Sequence, residues 1–526
     1  MTNEFNKNYS YDRCSSRGIC SVNPTTASLQ EVILLYLKHT AHYGLNFIDF
    51  GIEDKTVDNL ILNTISILST NYEISENNFK MINFAFQKEL PNIIEKYKGI
   101  CEELKREPVT LDTEKILSTN SDINYFIKLG EKAFNKRMLS YDNNLGSFYK
   151  MIFVLVKSMT INILIYESFG KNASDEIILL FKLLNLLNNP KKDKEELKKL
   201  ILEISEKDCT LMKKIRTVQE QEYGIQTQTE VSFSTIKGKA VLVVGSNLKE
   251  LEQILDRFEN KNIDIYTHDN MILAHTFPKF RSYSHLKGQF GQGMENCLLD
   301  FSTFPGPIIL TRNSLFNIEN LYRGRLYTTD FAYSKGVIQI KDDDFSEVIK
   351  SAEESRGFKT GKNCEAEIVG FSYEETVKKI YKRLEEYKFK QIIIIGIEGY
   401  NNSDKSYFKT LLNHIPDETL ILSMSCCNEK TNRICLNAIY DTISVLKLAE
   451  ELILNSNIPV SIFYPYCDRH TLSLIIYLNS ISNGKFFIGK WNNSTINPNI
   501  IDILKTEYNI FEITTPKNDL EKLTNA

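Results

Sequence analysis

The first part of the chain, from about residue 26 to residue 222, carries apolar residues at helical spacing. Between Ser28 and His42 they fall at positions 29, 32, 33, 36 and 37, the period of an amphipathic helix. Ser28 and Glu31 have the S-x-x-E spacing of a capping box, which predicts the start of this helix. Further helices are predicted at about 55–69, 76–97, 122–137, 146–168, 174–187 and 191–204. The pattern predicts helical bundles with short connections.

The pattern changes near residue 235, where short apolar runs alternate with helical stretches. The run from Ala240 to Val244 ends at Gly245 and precedes a helical stretch at 248–258, which is typical of a buried parallel sheet. Further strands are predicted at 263–267, 307–311, 391–396, 419–424, 460–464 and 485–488, with helices at 345–355, 373–387, 404–414, 436–454 and 470–482. The fold class is therefore multidomain α and α/β, with N-terminal helical bundles followed by two Rossmann-like, doubly wound α/β domains.

Length and charge add domain number and exclude some partners. The 526 residues suggest about three domains, predicted at 1–225, 226–360 and 361–526, with Ser355 to Cys364 at the second boundary. Because 63 Lys+Arg oppose 67 Asp+Glu, the net charge is −4, which predicts neither a nucleic-acid nor a membrane partner. The polar segment from Met1 to Arg13 is unlike a signal peptide. The apolar stretch from Met151 to Tyr166 is interrupted by Lys157 and indicates a buried helix.

The cysteines bear on location and cofactor. Ten cysteines in 526 residues are too few for a disulfide scaffold. A cytoplasmic location is predicted, where cysteines stay free or bind metal. The chain has no G-x-G-x-x-G motif and no P-loop, so no nucleotide cofactor is predicted.

Polar residues follow the predicted strands. In open α/β sheets, ligands bind outside the carboxyl ends of the strands. The polar residues at these ends are predicted to converge on one crevice between the two α/β domains. They are Ser246 and Asn247, His268 to Asn270, Arg312 to Ser314, Glu398, Ser425 to Cys427, Cys467, Asp468 and His470.

Several long segments match one known family. The segments are CSSRGIC at 14–20, LSTN at 68–71, VLVVGSNLKELEQIL at 241–255, YTHDNMILAH at 266–275, FPGPIILTRNS at 304–314, RLYTT at 325–329 and TLILSMSC at 419–426. They resemble the hybrid cluster proteins, the prismane or hydroxylamine reductase family. The resemblance implies a helical domain of two three-helix bundles, two Rossmann-like domains, an N-terminal [4Fe–4S] or [2Fe–2S] cluster and a buried hybrid Fe–S–O cluster. It also implies reduction of hydroxylamine to ammonia, or of nitric oxide.

Most cluster-ligand positions implied by the resemblance hold other residues. In the N-terminal motif, Cys14 and Cys20 match the last two of four cysteines, while the first two fall at Thr2 and Phe5. The hybrid cluster of the family has four cysteine ligands, one histidine and two glutamates. By position, its histidine becomes Ser246, its glutamates become Asn270 and Asp468, and its cysteines become Ser314, Glu398, Cys426, which is kept, and Ile439. A nearby family lysine becomes His470.

Iron–sulfur clusters select soft thiolate ligands, so an intact hybrid cluster is not expected and the family activity is predicted to be lost or altered. Three hypotheses follow: an altered iron–sulfur oxidoreductase with a redox partner protein or self-association, a non-catalytic binding or regulatory scaffold, and a different single-metal enzyme. Cys426, Cys427, Cys435 and Cys467 would hold a simpler cluster or be core residues. Glu398, Cys426, Asp468 and His470 would bind one divalent metal, or Ser246, Asn270, Ser314 and Glu398 would fill the crevice with hydrogen bonds.

Three further sites have alternative interpretations. Cys14 and Cys20 would share a cluster across a dimer axis or be residual thiols. Structural hydrogen bonding is the favoured role of His268 and His275. The segment from Gly245 to Asn247 would bind an anion at a helix N-terminus, but an N-x-x-E helix cap from Asn247 to Glu250 is favoured.

Overall fold

The structure is a computed structural model that describes residues 24–69, 76–118, 122–140, 145–188, 193–291, 296–314, 321–330, 336–396, 402–425, 429–438, 440–464, 469–489 and 498–524. The N-terminal region is helical, as the apolar periodicity predicts. Its helices are α1 (Pro24–Asp49), α2 (Lys55–Leu68), α3 (Glu76–Glu103), α4 (Ile123–Ser140), α5 (Gly146–Ser168), α6 (Ser174–Leu186) and α7 (Lys194–Tyr223).

The predicted boundaries of two N-terminal helices are wrong. Helix α1 begins at Pro24, so Ser28 and Glu31 lie inside the helix instead of capping it; proline is favoured in the first helical turn because its fixed φ suits the helix and its missing N–H costs nothing there. Helix α7 begins after Asp193, whose carboxylate accepts a hydrogen bond from the Glu196 N–H at 2.9 Å. It runs on to Tyr223, far beyond residue 204, because buried residues continue at helical spacing.

The first sheet contains six parallel strands in the order β4-β3-β2-β5-β6-β7. The strands are β2 (Lys239–Val244), β3 (Ile263–His268), β4 (Leu286–Gln289), β5 (Ile308–Leu310), β6 (Leu326–Thr328) and β7 (Ile338–Gln339). The helices of this region are α8 (Leu248–Phe258), α9 (Pro278–Arg281), α10 (Cys297–Thr303) and α11 (Ser346–Glu354), with 3-10 helices at Asp269–Thr276 and Arg323–Arg325.

The second sheet is also six-stranded and parallel, in the order β11-β10-β9-β12-β13-β14. Its strands are β9 (Gln391–Ile395), β10 (Thr419–Ser423), β11 (Arg433–Cys435), β12 (Val460–Tyr464), β13 (Phe486–Ile488) and β14 (Ile510–Glu512). The helices are α12 (Tyr373–Glu386), α13 (Asn402–His414), α14 (Thr442–Asn455), α15 (Arg469–Ile481), α16 (Pro498–Tyr508) and α17 (Pro516–Thr524). Helix α14 starts at Thr442 instead of residue 436, because the Asp441 carboxylate caps it by accepting from the Ser444 N–H at 3.0 Å.

Both sheets are buried on both faces, which explains their uniformly apolar strands. In β2, Val241 and Val243 join one apolar cluster, while Leu242 and Val244 join another on the opposite face. The isoleucines of β9 divide between two clusters in the same alternating way. The predicted fold class, helical bundles followed by parallel-sheet α/β domains, is confirmed.

The segments that enter and leave the first sheet lie side by side. Strands β1 (Thr229–Val231) and β8 (Glu367–Val369) pair antiparallel. Isolated bridges continue this pairing, from Thr235 to Lys362 and from Gly238 to Phe358. The first α/β region is therefore tied to the rest of the chain by two adjacent strands.

Helix α5 is the most apolar long helix of the described residues. It has 23 residues and, by length and composition alone, could cross a membrane. However, 72% of its most apolar window is buried inside the protein. Helix α5 packs against α7, and α7 also packs against α15 of the second α/β region. The prediction that this apolar stretch is a buried helix is thus confirmed.

Candidate functional site

The predicted site residues divide into two groups. Ser246, Asn270 and Ser314 are described, and they lie after β2, β3 and β5, at the carboxyl ends of the first sheet. The strand order reverses between β2 and β5, and such a point is where a crevice forms. The other positions implied by the resemblance, namely Cys14, Cys20, Glu398, Cys426, Ile439 and Asp468, lie outside the described residues, as do Cys427 and Cys467.

The chain ends of β2 and β5 are in close contact. Gly245 has a φ of 126°, and a Cβ there would lie 2.1 Å from the Thr311 Oγ1 and 2.4 Å from the Ser314 Oγ. Only glycine fits this approach. Ser314 is 5% exposed, and its hydroxyl donates to the Thr311 carbonyl at 2.6 Å and contacts the Val244 carbonyl at 3.3 Å. The Ser314 side chain therefore binds its own loop and the end of β2.

The two other described ligand positions are more open. Ser246 is exposed, and Asn270 is half-buried in the 3-10 helix after β3. Among the described residues, the Ser314 hydroxyl bonds to its own loop and to the end of β2, at Thr311 and Val244. Glu398, the fourth side chain of the predicted hydrogen-bonded set, lies outside the described residues, so the filling of the crevice by these side chains stays a prediction.

Asn247 caps helix α8, the role that the sequence pattern favours over an anion site. Its side-chain oxygen accepts from the N–H groups of Lys249 and Glu250 at 3.1 and 3.2 Å. The Glu250 carboxylate points to the neighbouring loops, where it accepts from the Arg312 N–H at 2.9 Å and from the Thr329 hydroxyl at 2.6 Å. Glu250 thus ties together the loops after β5 and β6.

Asn313 links the crevice to the helical region. Its side-chain amide donates to the Ser66 carbonyl at 3.1 Å and to the Ser66 hydroxyl at 3.0 Å, across 247 residues of sequence. Its backbone N–H donates to the Asp330 carboxylate at 2.8 Å. Asn313 has a φ of 62°, a left-handed conformation that asparagine tolerates. The loop after β5 is therefore bonded to Ser66 of α2, to Asp330 after β6 and to Glu250 of α8.

The two histidines near β3 have hydrogen-bond partners. His268 Nε2 lies 3.0 Å from the Asp300 Oδ2, and His275 Nε2 lies 3.0 Å from the Thr267 hydroxyl. Burial, together with the nearby charge of Arg281, lowers the pKa of His275 to about 4, so His275 is neutral at pH 7. These contacts agree with the structural role favoured for both residues.

At the second sheet, His470 and Cys435 are described. Cys435 at the end of β11 is disulfide-bonded, which differs from the expectation of free cysteines and removes its sulfur from the available thiolates. His470 lies in the first turn of α15, and its Nδ1 is 2.9 Å from the Ser158 hydroxyl on α5. The imidazole is thus fixed from the helical region.

A buried carboxyl lies behind His470. Asp208 on α7 is fully buried and accepts hydrogen bonds from Ser158 and Ser473 at 2.6 Å and from Asn162 at 2.7 Å. Burial raises the pKa of Asp208, while His470 and the three donors oppose the shift. Asp208 therefore connects α5, α7 and α15.

A buried ion pair lies two turns further along α7. Arg216 and Asp441, the cap of α14, are joined by bonds of 2.8 and 3.1 Å, and both are nearly inaccessible to solvent. Arg216 also donates to the Ser444 hydroxyl at 3.0 Å and lies 5.6 Å from the ring centroid of Phe277 in the first α/β region. Arg216 thus contacts both α/β regions from the helical region.

The described donors do not fit the family's hybrid cluster. Serine hydroxyls and an asparagine amide are weak neutral ligands for iron, which takes thiolate, imidazole or carboxylate in such clusters. Within the part of the chain that the structure describes, three or more His, Cys, Asp or Glu side chains nowhere come together as a metal site. The four free cysteines in the same part, Cys101, Cys209, Cys297 and Cys364, are buried or half-buried and lie apart from Ser246, Asn270 and Ser314 in sequence.

Sequence reasoning missed Asp208, Arg216 and Asp441. A signal was present, because Asp208 and Arg216 fall in the buried stripe of α7 among apolar residues. A charged residue at an apolar position of a helix is expected to have a buried partner. The partners themselves come from segments far away in sequence.

A helical bundle joined to two parallel α/β sheets, with polar loops at the strand ends, is the class of protein that this structure defines. The Prismane/CO dehydrogenase family model matches residues 10–453. The chain belongs to this family, as the sequence resemblance predicts.

Known relatives cover almost the whole chain at low identity. The hydroxylamine reductase of Methanocella arvoryzae is 24% identical and covers 97% of both chains. Those of Salmonella dublin and Salmonella typhimurium are 23% and 22% identical, covering 98% of this chain and 97% of theirs. A solved structure of acetyl-CoA synthase/carbon monoxide dehydrogenase, with NiZn[Fe4S4] and NiNi[Fe4S4] clusters in closed and open alpha subunits, matches with a TM-score of 0.45 and 11% identity, over 97% of this chain and 83% of that one.

Proposed function

We propose that this chain is a divergent member of the family that does not assemble the hybrid cluster and does not reduce hydroxylamine by the family mechanism. Ser314, at a family cysteine position, carries the proposal. Its hydroxyl is buried and donates to the Thr311 carbonyl at 2.6 Å, so the side chain stabilises the loop instead of offering a thiolate. The hydroxyl of Ser246 and the amide of Asn270 add two further neutral oxygens at ligand positions.

The function that fits these properties best is a binding or regulatory scaffold that keeps the family's crevice. The loops after β5 and β6 are held in place by Glu250 and Asn313, neither of which requires a cluster. The proposed partner is a redox protein or a second copy of the chain, and neither a nucleic acid nor a membrane is proposed. The proposed location is the cytoplasm. We also propose three domains, at 1–225, 226–360 and 361–526; the end of α7 at Tyr223 and of α11 at Glu354 supports these boundaries.

A single divalent metal is the second candidate. His470 supports it, because Ser158 and Asp208 fix the ring as outer partners fix a metal-binding histidine. The other donors would be Glu398, Cys426 and Asp468. An incomplete or altered iron–sulfur cluster, including one on Cys14 and Cys20, is the remaining alternative.

The test is hydroxylamine-dependent oxidation of a reduced viologen by the full chain, purified without oxygen. Hydroxylamine reductase from Salmonella typhimurium, prepared in the same way, is the positive control. We expect turnover by the control and none above background by this chain, before and after incubation with iron and sulfide. Turnover comparable to that of the control would contradict the proposal. One zinc or iron per chain without sulfide would favour the single-metal candidate over the scaffold.

A further inference from the structure

One disulfide involves the described residue Cys435, at the end of β11. The other four described cysteines are free, so the partner of Cys435 is one of the five cysteines outside the described residues. They are Cys14, Cys20, Cys426, Cys427 and Cys467. The positions of the strands indicate which of the five can reach Cys435.

Cys426 and Cys427 follow β10, the strand directly beside β11. The two strands pair in parallel, with Ser423 opposite Cys435. The Leu436 N–H donates to the Ser423 carbonyl at 2.8 Å, which keeps the end of β10 against β11. Because Cys426 and Cys427 come only a few residues after Ser423, the chain that leads to them starts beside Cys435.

The chain lies beside β11 again directly after these two cysteines. The Glu429 Oε1 lies 3.5 Å from the Cys435 backbone nitrogen, and Lys430 forms a bridge with Arg433. Cys427 is two residues before Glu429, a separation that spans at most about 7 Å. Bonded cysteines usually have Cα atoms about 4.4–6.8 Å apart. The cysteines of the loop after β10 are therefore within reach of Cys435.

The three other cysteines outside the described residues are less favourable partners. Cys467 follows β12, and the strand order places β10 and β9 between β12 and β11. At the usual strand spacing, β12 is about 14 Å from β11. Cys14 and Cys20 lie near the N-terminus, so a bond to either would close a loop of most of the chain. A loop of about ten residues, closed by a cysteine after β10, costs less entropy.

Cys435 is accessible to a reductant. Strand β11 is the edge strand of the second sheet, and Cys435 is half-buried. The neighbouring residues Glu429 and Lys430 are exposed. Cytoplasmic disulfides are usually transient and catalytic or redox-sensing, and exposed disulfides are among the labile ones. In the cytoplasm, the location proposed above, this bond is therefore expected to open and close.

We propose that Cys435 and the adjacent pair Cys426 and Cys427 form a reversible dithiol–disulfide switch, in which one cysteine of the pair bonds to Cys435. A dithiol reductant, either a small molecule or a protein, opens the bond: its first thiolate attacks one sulfur, and its second displaces the mixed disulfide. The reductant gives up two electrons and two protons and becomes a disulfide, and the chain gains two thiols. Oxidation by a disulfide compound reverses the exchange. Apart from the cytoplasmic location, the switch does not rest on the function proposed for the crevice.

The experiment maps the disulfides of the full chain by mass spectrometry. One sample is oxidised with glutathione disulfide, and a second is then reduced with dithiothreitol while folded, before iodoacetamide blocks the free thiols of both. Trypsin cleaves after Lys430 and Arg433, so the adjacent pair and Cys435 fall on separate peptides, 410–430 and 434–447. We expect these peptides to be linked in the oxidised sample. After reduction they should separate and carry two newly alkylated thiols, and renewed oxidation should restore the link.

Three results would overturn the proposal. The first is a link from Cys435 to Cys14, Cys20 or Cys467, and the second is the absence of a link in the oxidised sample. The third is a link that dithiothreitol opens only after guanidinium has unfolded the chain, because the bond would then be structural.

Matched variants test the assignment by the number of thiols that dithiothreitol releases from the oxidised chain. Cys364→Ser changes a free, half-buried cysteine and should release as many thiols as the wild-type chain. Cys435→Ser and the double variant Cys426→Ser/Cys427→Ser should each release two fewer. The wild-type number of thiols from either of these would refute the switch. Because the peptide mapping uses the wild-type chain, it decides the question even if Cys435→Ser does not fold.

Discussion

Two regions of the molecule use opposite kinds of polar chemistry. At the carboxyl ends of β2 and β5, neutral groups bind nearby backbone, as Ser314 binds the Thr311 carbonyl and Asn313 binds Ser66. Along α7, ionisable groups are buried, with Asp208 bound to α5 and α15 and Arg216 paired to Asp441 on α14. The first region contains Ser314, which the sequence resemblance matches to a family ligand position, and the second bonds the helical region to the second α/β region.

The difference separates the scaffold from the chemistry it supports. Hydroxyl–backbone bonds each contribute modestly to stability, whereas a buried ion pair is costly to break once formed, because the remaining charge is desolvated. Asp208, Arg216 and Asp441 therefore join the helical region to the second α/β region through bonds of the chain itself.

Breaking the Arg216–Asp441 pair is expected to have the largest effect. Arg216→Met leaves the Asp441 carboxylate buried without its partner, and we expect a loss of about 3–5 kcal/mol in the free energy of unfolding. Urea unfolding followed by circular dichroism measures it. Arg356→Met, at an exposed site, is the control and should be neutral. Adding Asp441→Asn to Arg216→Met should recover part of the loss. Equal stability of the Arg216→Met and Arg356→Met variants would refute a structural role for the pair.

Replacing Asp208 tests the second buried charged residue of α7. Asp208→Ala removes three hydrogen bonds from buried donors, and we expect a loss of about 2–3 kcal/mol at pH 5. Asp208→Asn keeps a polar partner for those donors and removes the titration. Thermal unfolding at several pH values compares both variants with the wild-type chain.

The pH dependence of this comparison has a definite sign. The pKa of Asp208 is raised in the folded state. Its contribution to stability is therefore complete below the pKa of the unfolded chain, about 4, and is lost as the pH rises through the pKa of the folded chain. The wild-type chain should therefore lose stability relative to Asp208→Asn as the pH rises from about 4. Parallel pH profiles of the two proteins would show that Asp208 does not titrate in this way.

Asn313 tests the region at the ends of β2 and β5, where the polar groups are neutral. Asn313→Gly keeps the left-handed backbone and removes the bonds to Ser66, while Asn313→Ala also places a Cβ in that conformation. We expect Asn313→Ala to be less stable than Asn313→Gly by about 1–2 kcal/mol, measured by urea unfolding. If the alanine variant is as stable as the glycine variant, the backbone of this loop is not constrained as described.

The smallest expected effect is at Ser314. Ser314→Ala removes one buried hydroxyl that donates to the Thr311 carbonyl, and we expect a loss of about 1 kcal/mol with no change in bound metal. Ser314→Cys restores the family residue at one position only and should also leave the iron content unchanged. Loss of bound iron in the alanine variant would show that Ser314 is a ligand.

Much of the fold is predictable because each strong element carries its own pattern. The apolar runs of β2 and β9 and the long apolar stretch of α5 locate these elements directly. Strands β4, β7, β11 and β14 are two to four residues long and lie at sheet edges, so they leave little apolar signal. The starts of α7 and α14 depend on single capping carboxylates, which a window of hydrophobicity does not resolve.

The site is predictable only in part. Ser246, Asn270 and Ser314 follow strands, so their place at one edge of the sheet follows from the parallel order. The contacts that fix the crevice join residues far apart, such as Ser158 with His470 across 312 residues. No local period encodes such pairs, and they become visible only when α5, α7 and α15 are packed together.

The central claim is that this chain keeps the family scaffold without the family's hybrid cluster. The most direct test is the iron and acid-labile sulfide content of the full chain, purified without oxygen, together with its EPR spectrum. We expect too little iron and sulfide for the family's two clusters and no hybrid-cluster signal. About six or more irons per chain with matching sulfide would contradict the claim.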